Sequence, residues 1–211
     1  ARRELSRLQA TLRPRVEAAL RQQLGREVRI GGVRLVGLNQ LVFSDLALAE
    51  PAGFAAGTAA TVPTARAEVD LLSFAFRPRQ HPLQAVRQIT LEQPDAVLTR
   101  ARDGRWSVQD IVDRLRARTG TGTLHAALAV EGGQLTVRDN RGFGSTPTPY
   151  RQRFAAIRGA LTSRGAQHYV FMASARNAAV QRGAVQVTGQ YAGTGVTRLN
   201  VKADDIDVNT V

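Results

Sequence analysis

The chain has no cysteine. That excludes disulfides, thiolate catalysis and cysteine-based metal sites together. Aromatic residues make up only 5% of its 211 residues, with one tryptophan and one methionine. Phe, Tyr and Trp carry much of the buried area in compact cores, so this supply is thin for a dense enzyme interior. Lysine is nearly absent: of 29 basic residues only Lys202 is a lysine. No apolar run approaches the ~20 residues a bilayer-spanning helix needs, and no signal peptide is visible. The chain starts without methionine and stops inside an alternating pattern, "DDIDVNTV". It therefore reads as a fragment of a longer protein.

What is present is apolar, basic and rich in turns. Hydrophobic residues reach 43%, glycines number 19 and the net charge is +12. The arginine excess has two readings, biased codon usage or contact with phosphate, which guanidinium grips in bidentate fashion. A nucleic-acid interface calls for arginines clustered with aromatics between them. Along this chain they are spread out and interleaved with Asp, Glu and Gln, so nucleic acid is not the expected partner.

No constellation of catalytic groups emerges. His81, His125 and His168 share no metal-ligand spacing. Asp204, Asp205 and Asp207 lack the glycine-spaced loop of a calcium site. "GTGT" at 120–123 lacks the Lys-Ser/Thr of a phosphate loop, and no Gly-x-Ser-x-Gly elbow is present. The reading is of a non-enzyme without cofactor or metal.

The opening stretch is helical. Leu5, Leu8, Leu12, Val16, Leu20 and Leu24 form one stripe of 3.6-residue period. Pro14 kinks it or starts a fresh helix, and Gly25 sits where a C-terminal cap is expected. Arg2, Arg3, Arg7, Arg13, Arg15 and Arg21 occupy other faces. They suit either an ordinary surface helix or one lying beside an anionic membrane.

Strands follow. Val28 and Ile30 alternate with polar residues. Val33 and Leu35 resume after Gly31-Gly32, a bulge signal. Leu41-Phe43 and Leu46-Leu48 flank a break at Ser44-Asp45. Residues 51–61 read as an Ala/Gly loop, and "ARAEVDLLSF" as a strand. Val86, Ile89 and Leu91 form another, broken by Pro94 and restarted at Val97-Leu98. Asp103-Gly104 makes a turn. Ser107 and Asp110 suggest a capping box for a short helix over about 107–118. From Leu124 onward only short, evenly spaced strands appear, the pattern of an antiparallel array.

"LGREVRIGGVRLVGLNQLVFSDLALAE" and "ITLEQPDAVLTRARDGRWSVQDIV" resemble the opening blocks of TamB-type proteins of the AsmA-like superfamily. "VEGGQLTVRDN", "FAAIRGALT" and "VQVTGQYAG…LNVKADDIDV" are similar to their recurring strand units. The likeness runs over most of the chain. Its more specific part is Gly-Arg-x-Val-x-Ile-Gly followed by Asp-Gly-x-Trp. The resemblance implies a mainly β protein, an elongated antiparallel sheet curled into an open trough. Residues 1–25 would be its membrane-proximal helix and 26–211 its trough, continuing beyond the fragment. It implies a bacterial periplasmic location, anchored to the inner membrane by a span absent here. The implied function is phospholipid transfer between membranes, with acyl chains held on an apolar sheet face. The alternative is a scaffold for outer-membrane β-barrel assembly with a barrel partner.

The candidate floor is Val28, Ile30, Val33, Leu35, Leu41, Phe43, Leu46, Leu48, Val69, Leu71, Ile89, Leu91, Leu135, Val137, Phe171, Val185, Val187 and Val201. Taken singly, each reads more readily as plain core. About ten strands spaced ~4.8 Å apart would make a trough on the order of 50 Å long.

Overall fold

The computed structural model of the chain describes residues 2–37, 39–70, 86–117, 126–141, 149–163, 168–178, 183–192 and 195–204. Helix α1 spans Arg2–Leu24. Strands β1 (Val28–Val36), β2 (Gln40–Glu50), β3 (Gly53–Val69), β4 (Val86–Glu92) and β5 (Asp95–Arg100) follow. Helix α2 spans Gln109–Ala117. Then come β6 (Ala127–Asp139), β7 (Tyr150–Ser163), β8 (Tyr169–Asn177), β9 (Ala184–Ala192) and β10 (Gly195–Asp204). The protein is mainly β, with all ten strands in one sheet.

Helix α1 runs through Pro14 without a break. It ends at Gly25, which has φ +70° and donates its N–H to Arg21 O at 2.8 Å. That is the left-handed cap expected of glycine after a last helical turn. Val16, Leu20 and Leu24 of its stripe pack on the sheet.

The strand order is β1-β2-β3-β4-β6-β7-β8-β9-β10, with β5 pairing β3 and β6. Strands β4 and β5 share one lane. Glu92 partners Glu131 and Asp95 partners Gln134, so the offset against β6 is unchanged across Gln93-Pro94. Pro94 lacks an N–H, yet its carbonyl still accepts from Gln134 N at 2.7 Å. Nine lanes rather than ten shorten the sheet to about 40 Å across.

Four expectations need correction. The array is not wholly antiparallel: β4 and β5 run parallel to β6. The chain carrying α2 returns it to the same end of the sheet, which a parallel pair requires. Residues 51–61 are not a loop, since only Pro51-Ala52 turn and β3 begins at Gly53. Strands "LHAALAVEGG" and "GQLTVRD" are one, β6, running straight through Gly132-Gly133. Ser107 is not the α2 cap. Its Oγ accepts from Thr99 N at 3.1 Å, while Asp110 bonds Arg26.

A crease crosses the sheet. The buried cluster takes both Ile30 and Val33 from β1, both Phe43 and Leu46 from β2, and both Val62 and Ala65 from β3. Residues three apart cannot share a face in a regular strand, because alternation has period two. Each strand must therefore take one irregular step. The register places those steps side by side: Gly31 lies opposite Asp45, Asp45 opposite Pro63, Pro63 opposite Gln93, and Gln93 opposite Gly132. Asp45 (φ 52°), Gln93 (φ 50°) and Gly132 (φ 69°) are left-handed, as is Ala156 (φ 51°) on β7, one residue off that level. Gly31-Gly32 is thus not a simple bulge, with one extra residue in a single strand. Five lanes step together, and at the far end of the crease the register shifts at β6–β7, on both sides of Gly133, and at β7–β8, between Ala155 and Arg158. A Cβ on Gly31 would lie 2.8 Å from Asp45 Cβ, so the crease needs glycine there.

The core sits at one end. Val28, Ile30, Phe43, Ala65, Ala67 and Val69 are buried beneath α1, with Leu41, Ile89 and Leu91 packed beside them. Among the described residues no apolar side chain on β4 to β10 is buried.

Candidate functional site

Residues opposite each other in a ladder share a face, so register alone maps the sheet's two sides. One row runs Leu35, Leu41, Ala67, Ile89, Leu128, Leu161, Phe171, Gly189, Leu199. The next runs Val33, Phe43, Ala65, Leu91, Val130, Gly159, Ala173, Val187, Val201. Beyond the crease, Val28, Leu48, Ala60, Ala96, Leu135 and Phe154 form a further row. One side of all ten strands is therefore apolar. The other side carries Arg34, Val42, Arg66, Thr90, Ala129, Ala160, Met172, Thr188 and Asn200 in the corresponding row.

Of the predicted floor residues, Leu71 lies outside the described residues. The remainder all fall on the apolar side. Their environments differ: Val28, Ile30, Phe43 and Val69 are buried under α1, whereas Val201 is 61% exposed. Leu128, Val130, Phe154, Ile157, Leu161 and Leu199 belong to the same side and were missed. Alternation within each strand marks them as apolar-facing, but which face they share with β1 depends on ladder register. Leu199 is 55% exposed.

Glycines thin this floor locally. Gly189 has no side chain, and the Phe171 ring lies over it; a Cβ there would also meet Arg198 O at 2.9 Å. Tyr169 and Tyr191, one row further out, hold ring centroids 6.3 Å apart.

The closed end of the sheet is locked by Arg26, whose side chain is 1% exposed. Its Nε donates to Asp110 Oδ2 at 2.9 Å and Nη2 to Asp110 Oδ1 at 2.5 Å. It also donates to Ala49 O at 3.3 Å and to Ser107 O. One guanidinium so joins β1, β2 and α2. The hydrogen bond and charge of Arg26 hold the Asp110 carboxyl below the usual carboxylate range, outweighing its partial burial. Glu17 on α1 accepts from Ile30 N at 2.8 Å, which ties the helix to β1.

Of the predicted membrane-proximal arginines, Arg13, Arg15 and Arg21 are exposed. Arg13 bonds Glu17 and Gly31 O, each at 3.3 Å. The side chains of Arg2, Arg3 and Arg7 lie outside what is described. No helix among the described residues is long and apolar enough to cross a membrane. No cluster of three potential metal ligands occurs among them either. His81, His125, Asp205 and Asp207 lie outside the described residues.

A shallow cleft lies over β7–β10, lined by Ala160, Val170, Met172, Thr188, Gln190 and Asn200, with Phe171 and Gly189 beside them. Most of these residues belong to the polar side. The cleft therefore opens chiefly on the side opposite the apolar floor, although Phe171 and Gly189 of the floor row also line it.

No family model matches the chain, and no curated protein matches it.

Proposed function

We propose that the apolar side of the sheet is a surface for phospholipid acyl chains. The chain would then act as a segment of a TamB-like, AsmA-like lipid-transfer protein of the bacterial periplasm. One observation carries the reading: a continuous apolar face spans every lane, yet full burial stops at the strands that α1 covers. A sheet inside a sandwich would bury its central residues, as the inner faces of two packed sheets interdigitate. Here Leu128, Val130, Phe171 and Val187 are only half-buried.

Such a strip is chemically suited to hydrocarbon. Each CH₂ removed from water contributes ~0.8 kcal/mol, and among the described residues no buried side-chain polar atom lacks a partner. Open contiguous apolar surface of this kind marks an interaction site. The α1 end is locked by Arg26 and Glu17, so the usable floor begins near β4 and runs toward β10. The protein does no bond chemistry in this account; it shields tails while headgroups stay wet.

The test is mass spectrometry of lipid carried through purification, with Ile89→Glu and Leu91→Glu beside the wild type. Bound phospholipid in the wild type and its loss in both variants is the expected result. Equal lipid in all three would refute the reading.

A second reading rests on the edge. Strand β10 pairs only with β9 among the described residues, and a free ladder edge can template an incoming strand. In that reading the chain is a scaffold for unfolded barrel precursors. It predicts binding of such a precursor without bound lipid, and loss of binding when a proline replaces Asn200.

A further inference from the structure

The arginines are not evenly spread once the strands are paired. Residues 98–106, 136–141 and 149–153 meet at one end of β5, β6 and β7, and contain seven arginines and two aspartates, a net charge of +5. Arg138 and Arg151 are direct partners across the β6–β7 ladder. Like charges in that position destabilise a sheet. Arg153 lies two residues on, bonded to Gln134. Arg141 reaches back to the β5 turn, where a Cβ on Gly104 would lie 3.0 Å from its Nη1. That contact brings Arg102 and Arg105 into the same patch. All six of these arginines are exposed.

The two aspartates do not neutralise the patch. Asp139 is 2% exposed. It pairs with Arg100 at 3.4 Å and accepts from Arg141 N at 2.8 Å. Asp103 accepts from Arg105 N at 2.9 Å and shapes the turn. A fold that sets Arg138 against Arg151 leaves a repulsion that an external anion relieves.

We infer that this rim, led by Arg138, Arg151 and Arg153, docks on the anionic surface of a phospholipid bilayer. The neighbouring chemistry favours a bilayer over nucleic acid. On the same strand ends, Val137 and Phe154 belong to the apolar floor, one residue along from Arg138 and Arg153 and therefore on the opposite face of the sheet. A strand end with guanidinium groups on one face and an apolar row on the other brings both chemistries of a leaflet, phosphate and acyl chain, to one edge of the sheet. A single-stranded nucleic acid instead needs exposed aromatic platforms, and Trp106 is instead packed against Arg100, whose Cζ lies 5.6 Å from its ring centroid. The inference extends the acyl-floor reading by giving the sheet a place to meet its lipid source.

The test is co-sedimentation of the full chain with vesicles of phosphatidylcholine alone or with 30% phosphatidylglycerol. Each arginine near such a surface is worth about fivefold in binding. The triple variant Arg138→Gln, Arg151→Gln, Arg153→Gln should therefore bind the anionic vesicles about 100-fold more weakly at low salt. A charge-matched control, Arg34→Gln, Arg158→Gln, Arg198→Gln, should stay within a few-fold of wild type. Because removing one arginine of an opposed pair relieves repulsion, the rim variant should melt no lower than wild type. If it does melt lower, Arg102→Gln, Arg105→Gln, Arg141→Gln replaces it with the same expectation. Equal losses in rim and control variants overturn the inference, as does wild-type binding that ignores vesicle charge. So does a rim variant that keeps vesicle binding and loses affinity for a single-stranded oligonucleotide. Uptake of a fluorescent fatty acid in vesicle-free buffer is read in parallel. Uptake without docking sinks the rim alone, and docking without uptake sinks the floor alone.

Discussion

The crease makes a stability prediction with a sign that ordinary strand propensity reverses. Ala156 sits on β7 at φ 51° and Gly132 on β6 at φ 69°. An L-residue in the left-handed region is strained by roughly 1–2 kcal/mol, which glycine escapes. Glycine in a regular strand costs about 0.5–1 kcal/mol relative to alanine. Ala156→Gly should therefore lie within about 0.5 kcal/mol of wild type or exceed it in stability. Ala160→Gly, four residues along the same strand, should lose about 1 kcal/mol. The converse change, Gly132→Val, should lose about 2 kcal/mol, although the nearest atom to a new Cβ is Gln93 Cγ at 3.6 Å, so there is room for it. The loss would come from backbone conformation alone. Urea unfolding followed by Trp106 fluorescence and circular dichroism reads all three, provided the two signals coincide. If Ala156→Gly costs as much as Ala160→Gly, the left-handed step on β7 is not real and the crease argument fails.

Other perturbations follow from the same structure. Asp110→Asn should destabilise by about 1–2 kcal/mol, below the usual figure for a broken buried pair, because the Asp110 side chain is 42% exposed while Arg26 retains its carbonyl acceptors. Asp110 has a folded pKa below its unfolded value of 3.8. Its contribution is thus complete above that pH and is lost as pH falls through the lower folded value; acid titration of unfolding in wild type and Asp110→Asn checks this. Glu17→Ala should free the α1 end from β1, at a cost of about 1 kcal/mol for the lost hydrogen bond, and raise hydrogen exchange at Ile30 N. Gly189→Ala should displace Phe171 and destabilise by about 1–3 kcal/mol, since no space exists there.

Much of the architecture was legible because period-two alternation is a local signal. The stripe through Val16, Leu20 and Leu24, the cap at Gly25 and the strand cores around Val28, Phe43 and Leu91 all rest on spacing within one element. Strand β3 was hidden in its first half by Ala and Gly, which are depleted in strands; its ladder to β2 overrides that composition. The crease showed itself three times in the sequence, at Gly31-Gly32, Ser44-Asp45 and Gln93-Pro94, but as separate breaks. Only register reveals that they line up. The same limit applied to the arginine rim, because Arg138 and Arg151 are far apart in the chain and adjacent only across a ladder. The parallel β4–β6 pairing was likewise invisible, since alternation gives no strand direction.

The account's central claim is that one side of this sheet meets hydrocarbon and the other meets water. Neighbouring residues on one strand test it most directly. A photo-crosslinking residue placed at Val187 or Val130 should label phospholipid in membrane extract, while the same probe at Thr188 or Ala129 should not. Equal labelling from both sides, or none from Val187 and Val130, would contradict the account.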